Sequence, residues 1–234
     1  MVRTALLLAA LTLAGPAAAC RLALVLALDV SASVNSDEDA LQRGGLAAAL
    51  LSPSVRGALL AVPEDPVHLA VFEWSGPDGQ AMILPWTAID GAPALEGAAA
   101  RIAASPRQFT EQPTAMGRAL SFAASLLQAG PPCRRRVIDV SGDGVNNEGY
   151  GPGPAYRHFP FQGVTVNGLV ISGWDPEVVG FYRREVLHGP GAFLEHTPDF
   201  AGYADAMEAK LLREIAGPAI GTGQPDAPTR LALQ

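Results

Sequence analysis

The chain has 234 residues, of which 49% are hydrophobic and 17% charged, with a formal net charge of -7. That length and composition support one domain with a substantial core and exclude a disordered chain. The acidic balance excludes a general nucleic-acid binder, which needs a basic face, and it suits a site for cations.

Residues 1–19 read as a secretory signal peptide. Arg3 is the positive start, Ala5 to Ala14 is an apolar stretch too short to span a bilayer, and Ala17-Ala18-Ala19 supplies small residues for cleavage. Later in the chain there is no transmembrane pattern. The expected location is exported, either periplasmic or secreted. A continuous apolar run then predicts a strand over 22–29, buried on both faces of a parallel sheet. Ser36-Asp37-Glu38-Asp39 reads as the N-cap and acidic first turn of a helix reaching about residue 51. Strands are expected at 67–74 and 80–86, joined as a hairpin by the turn Gly76-Pro77-Asp78-Gly79.

An Ala-rich helix is expected at about 91–104. A polar loop with Pro113 leads to Thr114 and a helix over about 115–129, which Pro131-Pro132 stops. Next come a strand at 136–141, a long Gly/Pro/aromatic loop over about 144–162, and a strand at 164–171. A helix at about 176–187, a short strand at 192–195 and a helix at 198–215 complete the pattern. The Gly- and Pro-rich stretch from 217 to 234 reads as a flexible tail, leaving 20–216 as the domain. Alternating strands and helices predict an α/β fold: a doubly wound, mostly parallel sheet with helices on both faces and one antiparallel edge strand.

Cys20 lies nine residues before Asp29, and Cys133 ten before Asp143. If their strands are parallel neighbours, both sulfurs sit at one end of the sheet, and a disulfide is expected. The alternative is a lipid on Cys20, because Ala-Ala-Ala-Cys weakly resembles a lipoprotein processing box. The four His are scattered, without zinc-like spacing.

Ligands of doubly wound sheets bind outside the carboxyl ends of the strands. Three pieces of this chain converge there: Asp29, Ser31 and Ser33; Thr114; and Asp143 in Ser141-Gly142-Asp143-Gly144. Two carboxylates and three hydroxyls form an oxygen-only set suited to a hard divalent cation, with positions left for water or an incoming carboxylate. Taken singly, each has an ordinary structural reading. Ser31 and Ser33 can cap a turn, Thr114 a helix, and Asp143-Gly144 can be a turn.

In this order, Asp29, Ser31, Ser33, Thr114 and Asp143 resemble the pattern of a von Willebrand factor type A domain with a metal-ion-dependent adhesion site. The likeness covers roughly 21–216 and departs at Gly142, where that family commonly has Thr or Ser. More narrowly, the chain resembles a bacterial group of exported A-type domains, the domain of unknown function 1194, which has no agreed activity. The resemblance implies that Ser31, Ser33 and Thr114 bind the metal directly, and Asp29 and Asp143 directly or through water. It implies Mg2+, with Mn2+ or Ca2+ as alternatives, and a partner protein whose exposed Asp or Glu completes the shell. No catalytic residue is implied.

Two other readings compete. Gly142-Asp143-Gly144-Val145-Asn146-Asn147 also resembles a metal motif of haloacid-dehalogenase-type phosphatases. Those enzymes need a second carboxylate two residues after the strand-ending Asp, where this chain has Ser31, and a phosphate-clamping lysine, whereas the only lysine here is Lys210. The third reading is a structural envelope protein whose metal stabilises loops. Trp74, Trp174, Asn146 and Tyr150 are expected to form a partner-binding rim, although both Trp can instead pack beneath the loops. Glu73 reads as a surface charge rather than as an acceptor behind the metal ligands. Arg134-Arg135-Arg136 reads as the solvated start of a strand.

Overall fold

The computed structural model describes residues 20–173 and 175–217. Residues 1–19, read above as a signal peptide, together with Trp174 and residues 218–234 lie outside the described residues. Strand β1 (Leu22–Asp29) is buried along its whole length. Its alternation sorts the core into two halves. Leu22, Leu24, Leu26 and Leu28 face one side, while Ala23, Val25 and Ala27 face the other. Large residues on one face and small ones on the other set how closely each helix layer approaches.

The remaining strands are β2 (Val67–Trp74), β3 (Gln80–Ile89), β4 (Arg135–Gly142), β5 (Val164–Ile171) and β6 (Leu194–Thr197). They form one sheet in the order β3-β2-β1-β4-β5-β6. All pairings are parallel except β2 with β3, so the hairpin supplies the antiparallel edge as expected. Strand β3 runs three residues further than the pattern predicts. The β2–β3 register shifts twice between Leu69 and Phe72. That irregularity accommodates Pro85, whose missing N–H is tolerable on an edge strand.

Helices α1 (Ser36–Leu51), α2 (Pro53–Leu60), α3 (Ala92–Ala103) and α7 (Tyr203–Ala216) cover the leucine face. Helices α4 (Met116–Ala129), α5 (Pro152–His158) and α6 (Pro176–Phe181) cover the other. Ala119, Ala123 and Ala124 of α4 lie in the same core as Ala23 and Ala27, so small meets small there. Several boundaries differ from the sequence reading. Asn35, not Ser36, caps α1, in a reciprocal capping box with Glu38. Helices α2 and α5 are short and were not anticipated. Past α6 the chain widens into a π-helical turn over Tyr182–Val186, and α7 begins after a 3-10 turn at Phe200–Gly202.

Strands β1 and β4 are parallel neighbours, with Leu22 opposite Arg135. Cys20 and Cys133 accordingly meet in a disulfide, with Cα atoms 4.5 Å apart. The thiol that a lipid would need on Cys20 is taken up in this bridge. Among the described residues, no helix is long and apolar enough to cross a membrane. Lys210 is fully buried on α7, where its Nζ lies 2.9 Å from Asp139 Oδ2 and 2.6 Å from Glu214 Oε1.

Candidate metal centre

From β1 the chain passes to β2 on one side, and from β4 to β5 on the other. The loops after β1 and β4 therefore diverge and leave a crevice between them, where open α/β sheets bind ligands. The first loop holds Asp29, Ser31 and Ser33, and the second holds Asp143. Gln42 of α1 donates from Nε2 to the Asp29 carbonyl at 2.9 Å and fixes the end of β1. The Ser31 N–H donates to Asp29 Oδ1 at 2.8 Å, turning the loop back on the carboxylate.

Thr114 arrives from a third loop, which ends at α4. Its N–H donates to Asn147 Oδ1 at 2.8 Å, and its carbonyl accepts from the Asn147 N–H at 3.0 Å. The loop that follows Asp143 thus holds Thr114 in place. Thr114 is not the helix cap that it suggests in isolation: Ala115 occupies that position without a side-chain bond. The Thr114 hydroxyl instead donates to Ser31 Oγ at 3.2 Å. Ser31 Oγ lies 3.2 Å from Ser33 Oγ, which donates to Asp143 Oδ1 at 2.6 Å. All five predicted residues therefore belong to one constellation. Asp29, Ser31 and Thr114 form a buried floor, Asp143 is half-buried, and Ser33 is exposed at the mouth.

This donor set fits a divalent cation on electrostatic grounds. Burial and then the nearby Asp143 charge push the Asp29 carboxyl up to about 7, against hydrogen bonds from Ser31 and the Arg107 charge. Asp143 is also raised, by burial and by Glu38, although the Ser33 hydrogen bond opposes this. Asp29 Oδ2 is buried and finds no hydrogen-bond partner among the described residues. The guanidinium of Arg107 donates to the carbonyls of Val30, Ser31, Val34 and Phe109, so its hydrogen bonds go to the loop backbone. Two crowded carboxylates with an orphaned oxygen are what a doubly charged ion relieves.

The departure at Gly142 has a steric reason. A Cβ there would lie 2.6 Å from Asp29 Oδ2 and 2.8 Å from Tyr182 Oη. The Tyr182 hydroxyl fills the space that a side chain at 142 would need.

The expected rim is only partly realised. Trp74 is fully buried in the α4-side core and offers nothing to a partner, a correction to the rim reading. It ends a central-side strand whose last residue faces the helix layer. Asn146 and Tyr150 are half-buried and brace the loop onto α4. Asn146 Oδ1 accepts from the Gly117 N–H at 3.3 Å, and Tyr150 Oη donates to Ser121 Oγ at 2.9 Å. Trp174 lies outside the described residues. Glu73 is not a surface charge: it is fully buried, pairs with Arg43 and accepts from the Gln108 N–H at 2.7 Å. Lys210, enclosed with Asp139 and Glu214, is in no position to clamp a phosphate.

Sequence reasoning missed Arg107, Asn147 and Tyr182. They support the site through backbone contacts or packing, for which a single sequence carries no spacing signal.

Solved structures share this fold. Proximal thread matrix protein 1 from the mussel byssus aligns with a TM-score of 0.63 at 16% identity, over 85% of this chain and 49% of its own. The pilus adhesin SpaC from Lactobacillus rhamnosus GG aligns at 0.57 and 16%, over 84% of this chain and 30% of its own. A von Willebrand factor type A protein from Catenulispora acidiphila aligns at 0.57 and 16%, over 84% and 43%. The mussel protein is also known with zinc in its metal-ion-dependent adhesion site. The chain spans about half or less of the length of these proteins. No functionally curated protein matches it. Residues 19–219 match the family described as protein of unknown function DUF1194, and the chain belongs to that family, built on a von Willebrand A fold.

Proposed function

We propose that this chain is an exported, divalent-metal-dependent protein-binding module. In this reading residues 1–19 are removed on export, 20–216 form the module, and the remainder is a tail. Ser31, Ser33 and Thr114 hold the cation directly, and Asp29 and Asp143 hold it directly or through water. Oxygen-only donors, three of them neutral hydroxyls, favour magnesium, with manganese or calcium able to substitute. Bound there, the cation supplies a positive point that an acidic side chain of a partner protein can ligate.

The carrying observation is the convergence of three loops on the linked Ser31 and Ser33 hydroxyls, between two carboxylates whose ionisation burial disfavours. A cavity of about 620 Å³ opens beside Asp143 and is lined by Glu38, Asp175 and Asp199 among others. This acidic mouth repels an acidic partner unless a cation intervenes, which makes binding strictly metal-dependent. Asn146 and Tyr150, braced on α4, present their exposed edges to the partner. The fold shared with a pilus adhesin and a thread matrix protein supports a binding role.

Calorimetric titration of the mature protein with magnesium tests the site. The native chain should bind saturably, and Asp29→Ala should show no binding heat while keeping its far-UV circular dichroism. Unchanged magnesium affinity in the variant refutes the assignment. Any partner captured in magnesium must be released by a chelator, and a partner retained in chelator argues for a surface elsewhere.

A further inference from the structure

At the opposite end of the sheet a second set of ligating groups comes together. Cys20 precedes β1, His68 is the second residue of β2, and Cys133 lies just before β4. Leu22 pairs with both Val67 and Arg135, so these strand starts lie side by side. His68 Nδ1 lies 3.0 Å from Cys20 Sγ. One ligand atom from each of the three side chains falls within 4.8 Å of the others. Zinc held at about 2.0–2.3 Å from sulfur and nitrogen places neighbouring ligand atoms roughly 3.3–3.8 Å apart, within reach of small side-chain adjustments.

We propose that reduction of the Cys20–Cys133 bond creates a zinc site made of two thiolates and the His68 imidazole, with water in the fourth position. A dithiol reductant supplies two electrons and two protons, becomes a disulfide itself, and leaves two thiols on this chain. Zinc then displaces both thiol protons. The donors are softer than the hydroxyls and carboxylates at the other end, so ligand chemistry sorts the ions: magnesium at the loops after β1 and β4, zinc at the strand starts. Either the covalent bond or the metal ties β1 to β4, so the fold keeps a cross-link in both redox states. Sequence spacing hides this site because 48 residues separate Cys20 from His68, and sheet register alone joins them.

Cobalt(II) is the probe. Thiolate-to-cobalt charge transfer absorbs in the near ultraviolet, whereas an ion bound only by oxygen at Asp29 gives no such band. Reduced mature protein should develop the band at one equivalent of cobalt and lose it on addition of zinc. Oxidised protein should show none. His68→Ala should weaken cobalt by more than the roughly 10–100-fold that loss of an outer partner costs. Absence of the band in reduced, folded protein overturns the proposal, as does unchanged affinity in His68→Ala. If reduction unfolds the chain, zinc must restore the native far-UV circular dichroism, and a chain that stays unfolded in zinc overturns it equally.

Discussion

Asp29 carries an electrostatic load that ought to be visible in stability. Its carboxyl is at about 7 in the fold against 3.8 in the unfolded chain. Between these values the folded state keeps a proton that the unfolded state has released. Stability of the chelated protein should therefore fall as pH rises from about 4 to 7, by up to about 4 kcal/mol, and level off above. Asp29→Asn removes that component, so its melting temperature should change less over the same range. Magnesium should raise the native melting temperature at pH 8 and have little effect at pH 4, because the ion binds the ionised form. Parallel melting curves for the two proteins in chelator refute this account. Asp29 itself was legible in the sequence, as the carboxylate ending an apolar strand. Glu73 was not: it stands one residue before the end of β2, and only its neighbours Arg43 and Gln108 show it to be part of an internal ion pair.

At the scale of elements, the site depends on loops held by distant residues. Arg107 donates from one guanidinium to four backbone carbonyls, three of them in the Asp29 loop. Arg107→Ala should leave Ser31 and Ser33 less fixed and weaken magnesium about tenfold, with a stability loss of about 1–3 kcal/mol from orphaned carbonyls. Calorimetry together with denaturant melts would read both, and magnesium affinity equal to native would remove Arg107 from the clamp. Helix α4 makes a similar demand at Gly117, where a Cβ would stand 1.9 Å from the Tyr150 carbonyl oxygen. Gly117→Ala should push the 146–151 loop away, free Asn147 from Thr114, and cost about 1–3 kcal/mol. Thermal melts check the stability, and an unchanged melting temperature would contradict the packing. Long periodic elements were readable from sequence, α4 and β5 among them. Helices α2 and α5 were not, because eight and seven residues carry too little periodicity to stand out from a Pro-rich loop.

Over the whole molecule, the two ends of the sheet have separate tasks. The carboxyl ends gather oxygen donors, and the amino ends gather the disulfide. The bridge closes a separation of 113 residues, so replacing both cysteines with serine should lower unfolding free energy by about 2–4 kcal/mol. Magnesium affinity should stay within about twofold of native, since no loop of the site touches the bridge. Denaturant titration and calorimetry on the double variant check both halves, and a coupled loss of affinity would show that the ends communicate.

The amino-acid sequence by itself determined the class of fold and singled out five candidate oxygen donors, whereas the pairing of the two cysteines hung on β1 and β4 being neighbours, with a lipid on Cys20 as the alternative. The fold class and the donors rest on local pattern: apolar runs that must be buried and polar switches at their ends. Only the tertiary structure decided that Trp74 is core, that Glu73 is an internal ion pair, that Tyr182 takes the space beside Gly142, and that His68 meets the disulfide. Those outcomes depend on which strands lie side by side and which face each residue presents, and sheet order is a property of long-range packing that no local spacing encodes.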